Sequence, residues 1–384
     1  MFVGAVGNQT DFGMILHFLS DDKFSDYVVG QFSEPEMHSE FVLMSDSETT
    51  KYFRNVDIVA RVNPYKKGEM GQLLDSLKDY SAIILHGLFY PWCETVLRNV
   101  PDNVKVVWSF WGGDLFGRKD LFKEYLAPRT KFVFNLHETL NKLKGKKNSV
   151  DYELPMDLFR RIDFFNTDMQ KEWEFAKQYC HNPLMQYHWY NYYSIEETLG
   201  ELRGRQLCGD NIIIGNSATI ECNYFDIVGR VEKSSIKGRN VIAPLSYGSP
   251  WVKNLVLKYG MFRFGKSFKP LVRLIPLDEY NEMLLSCSIM IQPHYRSQAQ
   301  GNIITGLWLG MRVYLSERSC AYSYFKGLGA AVFSIEKDLK RGNHEAFSKL
   351  PQTDVEKNRK VLLHWYGKDA MYRKNLDLVK LISQ

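Results

Sequence analysis

The chain has 384 residues, 45% of them hydrophobic, which suits two domains of about 150–200 residues, each with an ordinary core. A net charge of +5 is too mild for a dedicated nucleic-acid binder, where a basic stripe is expected, and no apolar run approaches the ~18 residues of a membrane span. Six scattered cysteines without a CxxC pair read as free thiols in a reducing compartment rather than a zinc site, and no basic leader precedes an apolar run, so a cytosolic protein with at most peripheral membrane contact is expected.

Residues 1–6 form a first strand candidate, and the spacing over 11–19 predicts a helix. Residues 41–44 and 57–62 follow as short strands, and 70–78 as a helix. The apolar run 82–85 is a clean strand followed by HGLFYP, and 104–108 is another followed by SFWGGDLF. Short apolar strands alternating with helical connections indicate an α/β domain with a mostly parallel sheet, where ligands bind beyond the carboxyl ends of the strands. His86 stands at such an end, placed either to act as a base or hydrogen-bond donor toward a ligand or to tie a turn to backbone. Trp111 and Gly112 follow the next strand, and Asp114 can cap the helix after it or do chemistry.

The stretch KLKGKKN at 142–148 is a basic loop, either a solvated surface or a dock for anionic lipid head groups. A strand over 161–167 and a helix over 172–179 lead to the aromatic run 186–193, which closes the first domain. Its rings either face a cleft or pack between domains. The polar, glycine-containing stretch 196–210 reads as the linker.

In the second half, the strand 211–214 runs into Gly215, Asn216, Ser217 and Ala218, a small-residue turn that can cradle a phosphate. The strand 240–243 ends before Tyr247, whose ring can stack on a base or sugar. A helix over 251–259 and a strand over 272–275 follow. Residues 278–315 then read as helix, buried strand, polar loop, helix and strand. The loop 293–301 collects His294, Arg296, Gln298 and Gln300 and ends at Gly301. Asn302 is placed to cap the next helix, and Gly310 sits where that helix stops. Free N–H groups and a helix dipole make such a loop an anion site, and an arginine makes phosphate its natural ligand. A last strand over 332–335 precedes helical patterns over 354–382, interrupted near Gly367.

The expected layout is a Rossmann-like domain over 1–195, a linker over 196–210, a second Rossmann-like domain over 211–350, and terminal helices over 351–384 that pack back on the first domain. Two such domains facing across a cleft, with an anion site in the second, describe a GT-B architecture. The chain has no GxGxxG, so no nicotinamide or flavin cofactor is supported, and no DxD after an apolar strand, so no metal is expected at the diphosphate.

The motifs HGxFxP from His86, WxxWGxDL from Trp108, IGNSA from Ile214 and VxxPxxY from Val241 occur in order before the loop RSQAQGN from Arg296. Together they resemble the bacterial TDP-4-acetamido-4,6-dideoxygalactose:lipid II transferase family, glycosyltransferase family 56, which acts in enterobacterial common antigen synthesis. The resemblance spans roughly residues 82–315 in blocks, and the loop here is longer than the family's RxxQGxxT-like one. It implies an acceptor side carrying His86, Trp111, Gly112 and Asp114, and a donor side carrying Asn216, Ser217, Tyr247, Arg296, Gln300 and Gly301. The implied reaction moves a deoxy-amino sugar from a dTDP donor to a polyprenyl-diphosphate-linked glycan at the inner face of the cytoplasmic membrane, for common antigen, O-antigen or capsule. Asp114 is then the first candidate base and His86 the second, while Arg296 and the N–H groups of Gly301, Asn302 and Ile303 meet the diphosphate. A GT-B-type epimerase acting on a sugar nucleotide and a non-catalytic subunit of a polysaccharide assembly complex are the alternatives.

Overall fold

The computed structural model describes residues 13–145, 152–232, 236, 238–340 and 342–383. The strand candidate over 1–6 and the end of the basic loop, 146–148, lie outside them. The chain divides into two compact units, one made of Met1–Leu115, Val150–Ser194 and Tyr366–Gln384, the other of Phe116–Ser149 and Ile195–Trp365.

The first unit is built on seven strands: β1 (Ile15–Leu19), β2 (Ser39–Met44), β3 (Ala60–Val62), β4 (Ala82–His86), β5 (Lys105–Ser109), β6 (Phe164–Asn166) and β7 (Gln186–His188). Every pairing is parallel, in the order β3-β2-β1-β4-β5-β6-β7. The second unit carries six: β8 (Asn211–Ile214), β9 (Val241–Pro244), β10 (Phe268–Leu271), β11 (Cys287–Gln292), β12 (Arg312–Leu315) and β13 (Val332–Ser334), all parallel in the order β10-β9-β8-β11-β12-β13. β1, β4 and β11 are buried along their whole length, as parallel strands covered on both faces must be. In each sheet the strand order reverses once, between β1 and β4 and between β8 and β11. That reversal opens a crevice outside the carboxyl ends of the two strands concerned.

Several expectations are corrected. The run 11–19 is not a helix. Its described part holds β1, whose five consecutive buried residues show no alternation, so helical and buried-strand readings share one pattern. The strand expected over 272–275 lies earlier, at β10, where Pro270 sits within it. A proline is tolerated there because β10 is an edge strand. Residues 116–149 group with the second unit rather than the first because Leu126, Phe122 and Phe134 join the second core. The expected linker 196–210 is partly structured, with a helix Ile195–Leu199 and a 3-10 turn Gly200–Gly204. Leu199 and Leu202 are buried and the Trp308 indole N–H donates to the Arg203 carbonyl at 3.0 Å.

The aromatic run packs inward. Tyr190 and Tyr192 belong to the first unit's own core. The terminal pattern is two helices, Gln352–Tyr366 and Lys368–Ile382, broken at Gly367. Leu378, Val379 and Ile382 of the second helix enter the first core. Tyr366 also anchors this return, its hydroxyl donating to Asp168 Oδ2 at 2.6 Å, both side chains buried. A Tyr366→Phe variant leaves that carboxylate short of a donor, so urea unfolding is expected to show a loss of about 1.5–3 kcal/mol; an unchanged midpoint counts against the anchor.

Candidate functional site

In the second unit the switch point lies between the loops that leave β8 and β11. The β8 loop is stitched to the loop after β9: the Ala218 N–H donates to the Tyr247 carbonyl at 2.7 Å, and the Ser249 N–H to the Ala218 carbonyl at 3.0 Å. Gly248 permits this contact. Its φ is +108°, and a Cβ there would lie 2.6 Å from the Ala218 carbonyl carbon. The stitching brings Asn216 beside Tyr247, with Asn216 Nδ2 donating to the Tyr247 hydroxyl at 3.3 Å while the Tyr247 ring stays exposed.

Asn216 Oδ1 is the hub of the site. It lies 3.1 Å from His294 Nε2, 3.3 Å from Cys222 Sγ and 3.3 Å from Gln298 Nε2. Asn223 adds a second tie, donating from Nδ2 to the Pro293 carbonyl at 3.0 Å. The β8 and β11 loops are thus cross-linked by side chains from both. His294 is buried, and burial together with the Arg296 charge holds its pKa down to about 3. It is therefore neutral. With Nε2–H given to Asn216, its buried Nδ1 is a bare acceptor without a partner among the described residues.

Arg296 is mostly buried. Its Nη2 pairs with Glu221 Oε1 at 3.2 Å and its Nη1 donates to the Ser297 carbonyl at 3.2 Å. Its Nε is buried and lacks a protein partner. An anion reaching this guanidinium must share it with Glu221. The helix Gln300–Leu309 starts just beyond, after Ala299 in the left-handed region, and no side chain caps it. Asn302 does not cap it. It lies inside the helix, and its side chain hydrogen-bonds the Tyr280 hydroxyl. The Ile303 N–H is also spoken for, donating to the Ala299 carbonyl at 3.0 Å. The first-turn N–H groups of Gly301 and Asn302 have no intrahelical acceptor and carry the positive end of the dipole. Gly310 ends the helix at φ +90°, as its position predicts. Ser217 is fully buried and lies 3.0 Å from Thr219 Oγ1, so it shapes the loop rather than offering a surface.

A cavity of about 610 Å³ opens next to this loop and shares Pro293 and Tyr295 with it. Its walls set Arg129, Arg230 and Lys340 against Asp226 and Glu336, three cations against two carboxylates. Among the described residues no group of three or more His, Cys, Asp or Glu is placed to hold a metal ion.

In the first unit His86 ends β4 at the other switch point. Its neighbour is one that sequence reading passed over. His17, in the middle of β1, is fully buried, and its Nδ1 lies 3.1 Å from His86 Nε2. The protons can be assigned in order. Ser39 gives its hydroxyl proton to the Met37 carbonyl at 2.8 Å, so it accepts from His17 Nε2–H at 3.1 Å. His17 Nδ1 is then an acceptor, and His86 must donate to it from Nε2. His86 Nδ1 remains, buried and without a partner among the described residues, as a lone-pair acceptor. Burial lowers the His86 pKa to about 3 and, with the His86 ring beside it, lowers that of His17 well below the usual range. One signal in the sequence points to this: His17 is the polar residue inside the run ILHFL.

Asp114, the first candidate base, also ties two loops together. It is buried, and burial raises its pKa to about 6 although donors surround it. Its Oδ2 accepts from Trp108 Nε1 at 2.7 Å and from the Leu88 N–H at 3.3 Å, and its Oδ1 from the Trp111 N–H at 3.3 Å. The carboxylate pins the β4 loop to the β5 loop, with Gly112 in the turn between. Trp111 is held edge-on against Phe24 at 5.3 Å and Tyr192 at 5.5 Å. His86, Trp111, Gly112 and Asp114 are therefore neighbours, as are Asn216, Tyr247, Arg296, Gln300 and Gly301 in the other unit.

No family model matches the chain, and neither does any curated protein. Solved structures do. A glycosyltransferase from Rickettsia africae aligns at a TM-score of 0.59 and 12% identity, covering 96% of this chain and 98% of the other. The fold is GT-B. Anabaena HepE, solved in complex with UDP and glucose, aligns at a TM-score of 0.59 and 8% identity over 96% and 99% of the two chains. An α,α-trehalose 6-phosphate synthase from Burkholderia multivorans aligns at 0.54 and 7% over 97% and 96%. At these identities the likeness is one of fold.

The neutral imidazoles fix a pH dependence. His17, His86 and His294 have folded pKa values lowered from about 6.5 in the unfolded chain, so the unfolded state binds more protons as pH falls below 6.5. Their stabilisation is complete above pH 6.5 and is lost as pH falls toward 3. Asp114, raised from 3.8 to about 6, opposes this between those values but is a single group. Urea unfolding at pH 7 and pH 4.5 is expected to show a less stable protein at the lower pH, with a shallower difference in a His294→Asn variant. Equal stability at both values contradicts the buried neutral assignment.

Proposed function

We propose that the chain is a glycosyltransferase that binds a sugar nucleotide at the β8–β11 switch point of its second unit. The observation that carries the reading is the helix Gln300–Leu309, which opens without a side-chain cap directly after a loop carrying the buried guanidinium of Arg296. A leaving nucleoside diphosphate gathers charge on its phosphates. Arg296 and the N–H groups of Gly301 and Asn302 are the donors that meet it. Glu221 holds the guanidinium in place until the diphosphate shares it. The exposed ring of Tyr247 offers a stacking face to base or sugar, and Gln300 offers a further polar contact at the helix start.

The motif resemblance refines this to a deoxy-amino sugar on dTDP as donor, and to a polyprenyl-diphosphate-linked glycan as acceptor, bound on the side of His86, Trp111 and Gly112. The reaction then belongs to bacterial surface polysaccharide synthesis, at the inner face of the cytoplasmic membrane. His86 Nδ1 accepts a hydroxyl of the acceptor, and the chain of donors through His17 and Ser39 keeps that nitrogen unprotonated. Asp114 keeps the two first-unit loops together, and its carboxyl, raised to about 6 by burial, is the candidate base toward the acceptor hydroxyl.

A thermal-shift panel of dTDP-, UDP- and GDP-sugars with Arg296→Ala tests the reading. One nucleotide class is expected to raise the melting temperature of the native protein, and Arg296→Ala is expected to lose that shift. Turnover falls about 100- to 1000-fold in the variant, the cost of removing one such oxyanion contact. Wild-type turnover in Arg296→Ala removes the diphosphate assignment. Donor consumption at full rate in acceptor-free buffer, with a free isomeric product, makes the protein an epimerase instead.

A further inference from the structure

The helix Pro128–Leu143 is anchored firmly by one face and bare on the other. Its N-terminus is capped from outside: Asp226 Oδ1 accepts from the Arg129 N–H at 3.0 Å, and Asp226 Oδ2 from the Thr130 N–H at 2.9 Å and its hydroxyl at 2.8 Å. Thr130 is fully buried. Farther along, Phe134 packs on the second unit's core, and His137 stacks on Trp251 with ring centroids 3.8 Å apart and planes 11° from parallel. These residues, at spacings of four and three, define the packed face.

The opposite face is apolar. Phe132, Leu136, Leu140 and Leu143 are 69%, 51%, 45% and 80% exposed. Their spacing of four, four and three puts all four on one stripe of the helix. A stripe of that size facing water marks a contact surface. Its borders are mainly cationic: Lys131, paired with Glu124 at 3.2 Å, and Lys142 lie along one edge with Glu138 between them, and Lys144 follows the last turn on the other. The wider segment shows the same bias. Residues 116–149 carry nine Lys and Arg against three Asp and Glu, a net +6 in a chain whose total is +5. In sequence, the net positive charge of the protein thus lies in this segment, and the remaining residues are close to neutral.

From this pairing of an exposed apolar stripe with flanking lysines, we infer that the helix Pro128–Leu143 is a docking surface for an anionic lipid bilayer, lying in the plane of the interface. The four apolar side chains enter the boundary between head groups and acyl chains, and the lysines meet lipid phosphates. No helix among the described residues is long and apolar enough to cross a membrane, so this contact is one made on the surface. A protein partner would be met by the same stripe, but a lysine-rich border around an apolar centre, with Glu138 the one acidic residue of the helix, matches an anionic plane. The inference locates the membrane contact that a lipid-linked acceptor requires, and to that extent rests on the proposed function.

Vesicle co-sedimentation of the full chain, without donor or acceptor, separates the two. The protein is expected to pellet with phosphatidylglycerol vesicles and to stay in solution with phosphatidylcholine vesicles. Leu136→Asp combined with Leu140→Asp, both at exposed positions, abolishes pelleting while the melting temperature and the nucleotide-induced shift stay at the native values. Lys142→Glu combined with Lys144→Glu weakens binding by about tenfold or more, and added salt does the same to the native protein. Absence of the native protein from phosphatidylglycerol pellets overturns the inference, as does pelleting that the leucine variant leaves unchanged. A dimer in sedimentation velocity that the leucine variant dissociates overturns it too, because the stripe then serves a second copy. A failed nucleotide shift with intact vesicle binding sinks only the donor-site reading.

Discussion

A strand buried on both faces can carry polarity only at its ends, and β1, β4 and β11, beside the two switch points, are such strands. Water cannot reach their middles, so every polar group there must find a partner in the protein or pay the full desolvation cost. The functional chemistry is pushed to the carboxyl ends, and the reversal of strand order selects which ends open into a crevice. His86 on one sheet, with Asn216 and His294 on the other, stand at those places. The exception, His17 in the middle of β1, shows the same constraint from inside. It is tolerated because Ser39 and His86 satisfy both of its nitrogens.

The two switch points have arrived at a common device. Each holds a buried, neutral imidazole whose Nε2–H is given to a protein acceptor and whose Nδ1 is left as a bare lone pair. A neutral acceptor fixed in this way can receive a hydroxyl without changing charge in the working pH range. In the proposed donor site the cationic work falls to Arg296 and a helix terminus. Charged and neutral roles are thereby assigned to chemically suited groups, and Glu221 prevents the guanidinium from standing alone in a half-closed site.

Much of this was legible before the fold was known. The strands β4, β5, β8, β11 and β13 stand out as apolar runs of the right length, and Gly310 and Gly367 mark real helix boundaries. Residues 11–19 were misread because an apolar run buried on both faces has no period of its own. Asn302 looked like a cap from its type, but Tyr280, distant in sequence, takes its side chain. Asp114 reads as a base from its type, but the three donors that it also accepts from lie on loops that only the parallel sheet brings together. Residues 116–149 follow the first unit's strands in sequence yet pack on the second core, a choice made by Phe122, Leu126 and Phe134 that no local pattern reveals.

The central claim is that a nucleoside diphosphate sits where the β8 and β11 loops meet the helix Gln300–Leu309. Amide hydrogen exchange of the full chain, with dTDP, UDP and GDP added in turn, tests it most directly. One of the three is expected to slow exchange at residues 215–219, 246–249 and 300–302 while leaving the helix Pro128–Leu143 unchanged. If none of them slows exchange in those three loops, or if protection appears only in the first unit, the account is wrong about where the donor binds.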